Sequence, residues 1–310
     1  MMDKVLIAMS GGVDSSVAAY LLKHSGWDCV GATMTLYRNE DIGISRSRTC
    51  CSLEDVEDAR SVAFRLRIPY YVFNFSDEFR RQVMDRFADA YGQGRTPNPC
   101  IDCNRYLKFR HLYDRAALLG CDTIATGHYA RIERENGRYL LKKALGASKD
   151  QSYVLYMLTQ EQLAHTQFPL GSLHKAETRQ LADSLGFFNA RKPDSQDICF
   201  VPDGDYAAFI RRHTGKADAP GDFVDESGRT LGRHRSIAHY TIGQRKGLGI
   251  PSNRPLYVKA IDPKSNQVVL SENDALFSQQ LTGENFNWIA WEAPPRQFRC
   301  SAKIRYRQTE

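Results

Sequence analysis

Lys4-Val5-Leu6-Ile7-Ala8-Met9-Ser10-Gly11-Gly12-Val13-Asp14-Ser15-Ser16 is the stretch of this chain whose reading decides its fold. An apolar run of strand character passes at once into two glycines, and a helix-like segment over 15–25 follows. The glycines let the backbone turn tightly, so that consecutive N–H groups can face an anion. The serine hydroxyls and the start of the helix add donors and a favourable dipole. No Gly-Lys-Ser/Thr follows, which excludes a Walker loop, and the spacing is not G-x-G-x-x-G, which removes the dinucleotide reading. The bland alternative is a glycine turn that holds nothing.

Outward from this stretch the chain alternates. Strand-like runs at 4–9, 28–36, 69–75 and 121–126 are separated by helix-like stretches at 15–25, 53–67, 77–93 and 104–119. Within 53–67, Val56, Ala59, Ala63 and Leu66 recur at three- and four-residue spacing, which predicts an amphipathic helix. Repeated strand–helix–strand predicts an α/β domain with a parallel sheet covered on both faces. Such sheets bind ligands at the carboxyl ends of their strands. Residues 130–143 predict a hairpin around Glu135-Asn136-Gly137, and 150–190 return to helices ending near Gly186. After about 205 the texture becomes Gly- and Pro-rich, with short β runs at 223–224, 258–261 and 267–270. The reading is therefore a catalytic domain over 1–205 and a small β-rich central domain over 206–272. The start of a C-terminal β-barrel follows over 273–310, apparently truncated.

The 310 residues fit two domains with part of a third, and 25% charged with 42% hydrophobic residues is ordinary globular composition. No run approaches 18 apolar residues, and the N-terminus lacks a signal peptide's cationic region and long apolar core, so a cytoplasmic enzyme without a membrane partner is expected. The net charge, 42 − 36 = +6, is placed unevenly. Residues 1–205 carry 26 basic and 26 acidic side chains, whereas 206–310 carry 16 and 10. No acid lies between Glu226 and Asp262, while Arg229, Arg233, Arg235, Arg245, Lys246, Arg254 and Lys259 do. A neutral front and a basic back predict a catalytic domain joined to one that holds a polyanion. The alternative is a solvated basic surface.

Eight cysteines are few for a secreted disulfide scaffold of this length and point to metal, catalysis or burial. Cys29 and Cys121 sit in apolar runs and read as core, and Cys300 gives no signal. In Thr96-Pro97-Asn98-Pro99-Cys100-Ile101-Asp102-Cys103-Asn104 two prolines predict an extended loop that stops the preceding helix. Cys100 and Cys103 then share one face of a helix start, where the dipole lowers thiol pKa. A third cysteine, Cys199, ends Asp194-Ser195-Gln196-Asp197-Ile198.

The Ser-Gly-Gly-x-Asp-Ser string resembles the PP-loop of the ATP pyrophosphatases, which adenylate a substrate oxygen. With the longer motifs the whole chain resembles the tRNA-specific 2-thiouridylases (MnmA/TrmU). These motifs are Cys51 to Arg60 with Cys50 before it, 125–131 (ATGHYAR), 149–153 (KDQSY), 195–200 (SQDICF), 240–250 (YTIGQRKGLGI) and 305–309 (RYRQT). The resemblance implies ATP with Mg2+ bound at Ala8, Met9, Ser10, Gly11, Gly12, Val13, Asp14, Ser15, Met34 and Gly127, activating the 2-oxygen of the wobble uridine. It implies Cys199 as carrier of a persulfide and Cys103 as nucleophile, leaving a Cys103–Cys199 disulfide. It implies target-base contacts at Asn98, Pro99 and Cys100, and tRNA contacts at His128, Lys149, Asp150, Gln151, Arg305 and Tyr306. The partners implied are tRNA and a persulfide-delivering sulfurtransferase or cysteine desulfurase. For Lys149 the alternative is a surface lysine, and for His128 a loop hydrogen bond.

Two departures from the family pattern stand out. Many members carry aspartate where this chain has Cys100, and the chain stops at Glu310 where the barrel normally continues. The Cys100/Cys103/Cys199 trio opens an alternative through a 4Fe–4S cluster, and a more distant one through zinc with Cys50 or Cys51 as fourth ligand. Beyond the family, a PP-loop ligase or amidotransferase on a small molecule and a zinc-stabilised RNA-binding protein are the competing readings.

Overall fold

In the computed structural model, which describes residues 3–43, 53–194, 198–306 and 308–310, the opening stretch forms β1 (Lys4–Ala8) and α1 (Val13–His24). The alternation continues through β2 (Asp28–Thr35), α2 (Leu53–Arg65) and β3 (Tyr70–Asn74). Next come α3 (Ser76–Phe79), a π-helical stretch Arg80–Met84 and α4 (Asp85–Gly92), which run on as one helix. A second composite helix consists of α5 (Pro99–Asp102), the π-helical Cys103–His111 and α6 (Leu112–Leu118). β4 (Thr123–Thr126), the hairpin β5 (Ala130–Glu135) and β6 (Arg138–Lys143), α7 (Gln160–Ala164), β7 (Thr166–Gln167) and α8 (Lys175–Ser184) complete the first part.

Strands β3-β2-β1-β4-β7 form one parallel sheet in that order. Because successive strand residues face opposite sides, Val5 and Ile7 join a core with Val13, Val17 and Ala59 of α1 and α2. Leu6 joins the other core, with Phe79, Phe87, Leu107 and Phe109. The sheet is therefore covered on both faces, as the near-continuous apolar strands predict. The hairpin turns where expected, with positive φ at Asn136 and Gly137 (49° and 79°), the pair a type I′ turn needs. β7 has only two residues, Thr166 and Gln167, too few to leave a periodic signature.

The long cysteine helix begins earlier than the sequence predicts, at Pro99 and not near 104. Pro99 occupies the first helical turn, where its missing N–H costs nothing, and Asn98 Oδ1 accepts the Cys100 N–H at 3.1 Å as a cap.

α9 (Tyr206–Thr214) leads into a second sheet built from β8 (Gly221–Val224), β9 (Thr230–His234), β10 (Tyr257–Asp262) and β11 (Gln267–Ser271), ordered β10-β11-β8-β9. Its core is Phe223, Tyr240, Leu248, Val258, Val268 and Leu270. α9 nevertheless packs on the first part: Phe209 is 1% exposed, and its ring lies 5.9 Å from Phe87.

Past residue 276 the described chain carries no helix or strand, which corrects the expectation of β runs there. Side chains of the first domain take up the backbone acceptors that a ladder would use. Arg138 Nε and Gln160 Nε2 donate to the Ile289 carbonyl at 3.2 and 3.1 Å and Arg138 Nη2 to the Trp288 carbonyl at 3.4 Å, while the Asn287 side chain donates the other way, to the first domain's Tyr156 and Leu158 carbonyls. Pro294-Pro295 lacks two ladder donors as well. Phe286 stacks on Trp288 instead, and Trp288 and Trp291 pack edge-on and tilted against Phe298.

Phe200 fixes the residue after Cys199 in the larger core, 1% exposed, with ring centroids 5.6 Å from Phe79, 5.3 Å from Phe87 and 4.9 Å from Phe209. Phe200→Ala is expected to lower the unfolding free energy by about 3–5 kcal/mol, read from urea denaturation of the full chain. A loss within about 0.5 kcal/mol would mean that the cluster closes without it.

Candidate active site

The loop between β1 and α1 is built as an anion cradle. Gly11 has φ +72°, and a Cβ there would lie 2.4 Å from the Asp55 carbonyl oxygen, so only glycine fits. Gly12 is the residue before α1, and no side chain caps that helix start. Ser15 Oγ accepts the Ser10 N–H at 3.1 Å and donates to the Gly12 carbonyl at 3.0 Å, while Ser16 Oγ donates to the same carbonyl. A Cβ on Gly127, just past β4, would stand 2.8 Å from Ser15 N, which brings that strand end against the loop. Met9 and Val13 bury their side chains in the core, so what they offer a ligand is backbone. Ala8 and Met34 are half-buried at the ends of their strands.

Three features fit a nucleotide polyphosphate here: the uncapped helix start, the backbone approach at Gly127, and Asn189. Asn189 donates to the Gly11 carbonyl (3.0 Å) and Ser16 Oγ (2.9 Å), yet its own buried Oδ1 has no partner among the described residues. The Asp14 carboxylate is a hard oxygen donor of the kind that Mg2+ takes.

Asp14 is held from two sides. Lys175 Nζ lies 2.7 Å from each carboxylate oxygen, and the Tyr129 hydroxyl donates to Oδ1 at 2.8 Å. Burial and the Asp14 charge push the Tyr129 phenol up, so it stays a donor. Lys175 also meets Asp194 Oδ1 at 2.7 Å, and Asp194 receives Lys149 and Arg179 at 2.8 Å each. Burial would raise the Asp194 carboxyl, but hydrogen bonds and charges from Lys149 and Lys175 outweigh it and hold the group at about 2. This carboxylate therefore stabilises the fold above the ordinary aspartate range and loses that contribution as pH falls toward 2. Lys175, Asp194, Tyr129 and Asn189 were not singled out from the sequence. Asp194 and Tyr129 lie inside quoted motifs, but Lys175 and Asn189 sit in no motif and leave no local signal.

Cys103 and Cys199 are both half-buried thiols that pack against the same core. The Tyr37 hydroxyl, just past β2, donates to the Cys199 carbonyl at 2.7 Å, which ties Cys199 to the carboxyl end of the sheet. The expected lowering of the thiol pKa is corrected for Cys103. Burial pushes it up to about 11, Lys108 offsets this in part, and Cys100 and Asp102 add to it. Cys103 is the fifth residue of its helix, beyond the first turn in which the dipole acts. Cys100, in contrast, is exposed. Among the described residues no three His, Cys, Asp or Glu side chains stand together as a site for a metal ion. Cys50 and Cys51, and Ser195-Gln196-Asp197, lie outside the described residues.

The other sequence-derived positions fall in several environments. His128 is 8% exposed beside Phe109 and Phe168, with Nδ1 2.6 Å from Thr126 Oγ1, and burial followed by Lys108 holds its pKa well below the usual imidazole value. Asp150 is buried and accepts the Ala144 N–H and the Ser152 hydroxyl. Gln151 pins Tyr129, accepting its N–H at 2.9 Å and donating its own to the Tyr129 carbonyl. Arg305 donates to the Ile242 carbonyl of the central domain, and Tyr306 packs 6.0 Å from Tyr153 of the first. In the basic region Arg229, Arg233, Arg254 and Lys259 pair with Asp225, Asp222, Glu272 and Glu226. Arg245 and Lys246 are exposed, and no carboxylate among the described residues pairs with them.

Residues 3–203 match the tRNA methyl transferase HUP domain family, and residues 207–272 match the tRNA methyl transferase PRC-barrel domain family. A tRNA-specific 2-thiouridylase MnmA of Clostridioides difficile is 50% identical over 308 residues, 99% of this chain and 85% of that protein. One of Lachnoclostridium phytofermentans is 52% identical over 307 residues, 98% of this chain and 86% of that protein. Among solved structures, a 4-thiouridine synthetase in complex with RNA and bound ATP aligns at TM-score 0.44 and 21% identity, over 64% of this chain and 45% of that one. The domain descriptions speak of methyl transfer, but the curated relatives are thiouridylases. With identity near one half sustained over almost its whole length, the chain belongs to the MnmA family of tRNA-specific 2-thiouridylases.

Proposed function

We propose that this enzyme performs the family's tRNA 2-thiouridylation by ATP-driven activation of the base and sulfur transfer between Cys199 and Cys103. The supporting observation is that the phosphate loop, Gly127 and the Cys199 anchor Tyr37 all follow carboxyl ends of adjacent strands in one parallel sheet, the edge where such sheets bind ligands. ATP with Mg2+ fits the loop of residues 8–15. Adenylation of the 2-oxygen of the wobble uridine makes AMP the leaving group, where bare oxide would not leave.

The sulfur comes from a persulfide on Cys199, delivered by a sulfurtransferase or cysteine desulfurase. Its outer sulfur bonds to C2 as the C2–O bond breaks and AMP departs. The Cys103 thiolate then attacks the Cys199 sulfur. The S–S bond to the base sulfur breaks, its electron pair stays on the thiocarbonyl, and a Cys103–Cys199 disulfide forms. An external dithiol returns both cysteines to thiols. Cys100, exposed one turn before Cys103, lies beside this route and is not required to carry sulfur. The route through Cys199 and Cys103 needs two sulfurs and no iron–sulfur cluster, so no step is derived through one. Asn98, Pro99 and Cys100 are the proposed base contacts. Lys149, Asp150, Gln151, His128, Arg305 and Tyr306 belong to the proposed tRNA side, the buried ones by holding its shape.

Three outcomes test this reading. Mass spectrometry of tRNA incubated with ATP-Mg and a persulfide donor is expected to show 2-thiouridine with wild-type protein and with Cys100→Asp. Asp14→Ala, Cys103→Ser and Cys199→Ser are expected to lose it by at least a hundredfold, a loss typical of removing a reacting group. Full thiolation by Cys103→Ser would remove the disulfide step.

A thiol near 11 is ionised in only about one molecule in 10,000 at pH 7. Iodoacetamide labelling of Cys103 is therefore expected to rise about tenfold per pH unit from 7 to 10. Labelling that is level over that range would show a thiol already ionised.

Charge reversal at Arg245 and Lys246 is expected to weaken tRNA binding by about tenfold near 0.1 M salt and to flatten its salt dependence, since each neutralised phosphate releases counterions. Wild-type tRNA affinity that ignores salt would contradict a phosphate-binding role for the basic third.

A further inference from the structure

The long cysteine helix changes its winding at Cys103. Cys103–His111 is π-helical, and at its end the Leu112 N–H bonds the Leu107 carbonyl, five residues back and not four. Such turns are rare and gather at functional sites. In this winding residues five apart stand one above the other, whereas an α-helix of about 3.6 residues per turn carries the fifth residue round to another face. Burial follows the wider spacing: Asn104 and Phe109 are buried together, as are Leu107 and Leu112, and Cys103 and Lys108 are both half-buried.

Lys108 is thereby set on the face of Cys103. Among the described residues no carboxylate pairs with it and no hydrogen bond holds its ammonium. The other cations of this helix are directed elsewhere. Arg105 lies 5.9 Å from the centre of the Tyr106 ring, His111 faces Asp114 and the Phe75 ring, and Arg110 is exposed. Burial weighs first against the Cys103 thiolate; of the charges that act on it, Lys108 favours it, while Cys100 and Asp102 oppose it. From the elements packed against this helix, α4 sends Arg86, which Asp102 takes up at 3.2 Å. The segment after β4 brings His128, which burial and then Lys108 hold neutral, and the Cys199 segment brings a second thiol. Lys108 is thus the cation left to serve Cys103.

We propose that Lys108 is a positioning residue that stabilises the Cys103 thiolate as it attacks the Cys199 sulfur, brought to that thiol by the π-helical winding. The inference rests on the roles proposed above for the two cysteines. The Cys103 proton leaves to solvent, and the electron pair it leaves on sulfur makes the new S–S bond. The ammonium exchanges no proton and forms no bond. It lowers the cost of the anion in a half-buried place, where a nearby charge is weakly screened. A neutral side chain at 108 leaves burial, Cys100 and Asp102 unopposed, whereas arginine keeps the charge.

The readout is the rate of Cys103 alkylation by iodoacetamide between pH 7 and 9, followed on its peptide by mass spectrometry in the full chain without tRNA. The reagent is neutral, so the lysine does not attract it. Lys108→Met is expected to react about threefold or more slowly than wild type, Lys108→Glu more slowly still, and Lys108→Arg within about twofold of wild type. A role in packing alone would not order the variants by charge. The reaction itself is expected to divide in the same way. In a single turnover with tRNA, ATP-Mg and protein carrying a Cys199 persulfide, Lys108→Met releases AMP at the wild-type rate, because AMP departs before Cys103 acts. Its release of thiolated tRNA is slowed by the same factor as its alkylation, and the disulfide between tRNA and Cys199 persists. The proposal is overturned if Lys108→Met is alkylated at the wild-type rate over this pH range, or if Lys108→Arg falls as far as Lys108→Met. Full thiolation by Cys103→Ser sinks the nucleophile reading and this inference with it. An inactive Cys103→Ser beside a Lys108→Met that alkylates like wild type sinks this inference alone.

Discussion

The grip of Lys175 and Tyr129 on Asp14 is the constraint from which the site is organised. A carboxylate that enters helix α1 beside two glycines has no local partner of its own, and the loop would be costly to hold at its half-buried position without one. The two groups that satisfy it come from positions 129 and 175, so the phosphate loop has its present shape only when β4, the segment after it and α8 are all docked. Asn189 adds a further tie from the far side through the Gly11 carbonyl. Anion-binding loops of this kind work because backbone donors are fixed before the ligand arrives. Here the fixing is done by side chains more than a hundred residues away.

The cysteine chemistry uses the opposite strategy. Cys103 sits where burial disfavours its thiolate, with Lys108 as a modest counterweight. Cys199 is anchored by its backbone, through the Tyr37 hydroxyl and the burial of the following Phe200. The basic third contributes through a different range of forces. Arg229, Arg233, Arg254 and Lys259 pair with local acids, whereas Arg245 and Lys246 are exposed with no carboxylate among the described residues paired to them. Arg305 joins this domain to the far segment by one side chain–backbone hydrogen bond.

Local pattern carried far in this chain. The run Lys4 to Ser16 contains a strand, a turn and a helix start whose glycines serve backbone geometry, and the period-two and period-3.6 signals around it place the first four strands of the parallel sheet, and the helices among them, within a few residues. The Asn136-Gly137 turn and the burial of Cys29 and Cys121 follow from equally local causes. The resemblance of the motifs to a thiouridylase family carried function and the two cysteines proposed to react. Less legible were elements whose existence depends on neighbours: two-residue β7, β9 with Gly232 in its middle, and the region past 276, where Arg138 and Gln160 occupy carbonyls that a ladder would need.

What the sequence determined by itself is therefore the class of fold and the position of the glycine-rich loop, because both are set by spacing along the backbone, while the cysteines proposed for sulfur chemistry came from the resemblance of the motifs. Tertiary structure alone decided how those residues are tuned. The raised pKa of Cys103, the burial of His128 and the low pKa of Asp194 depend on which side chains crowd each group across the fold. So does the meeting of Asp14 and Asp194 on one lysine, since desolvation and charge act through space over a few ångströms and take no account of distance in sequence.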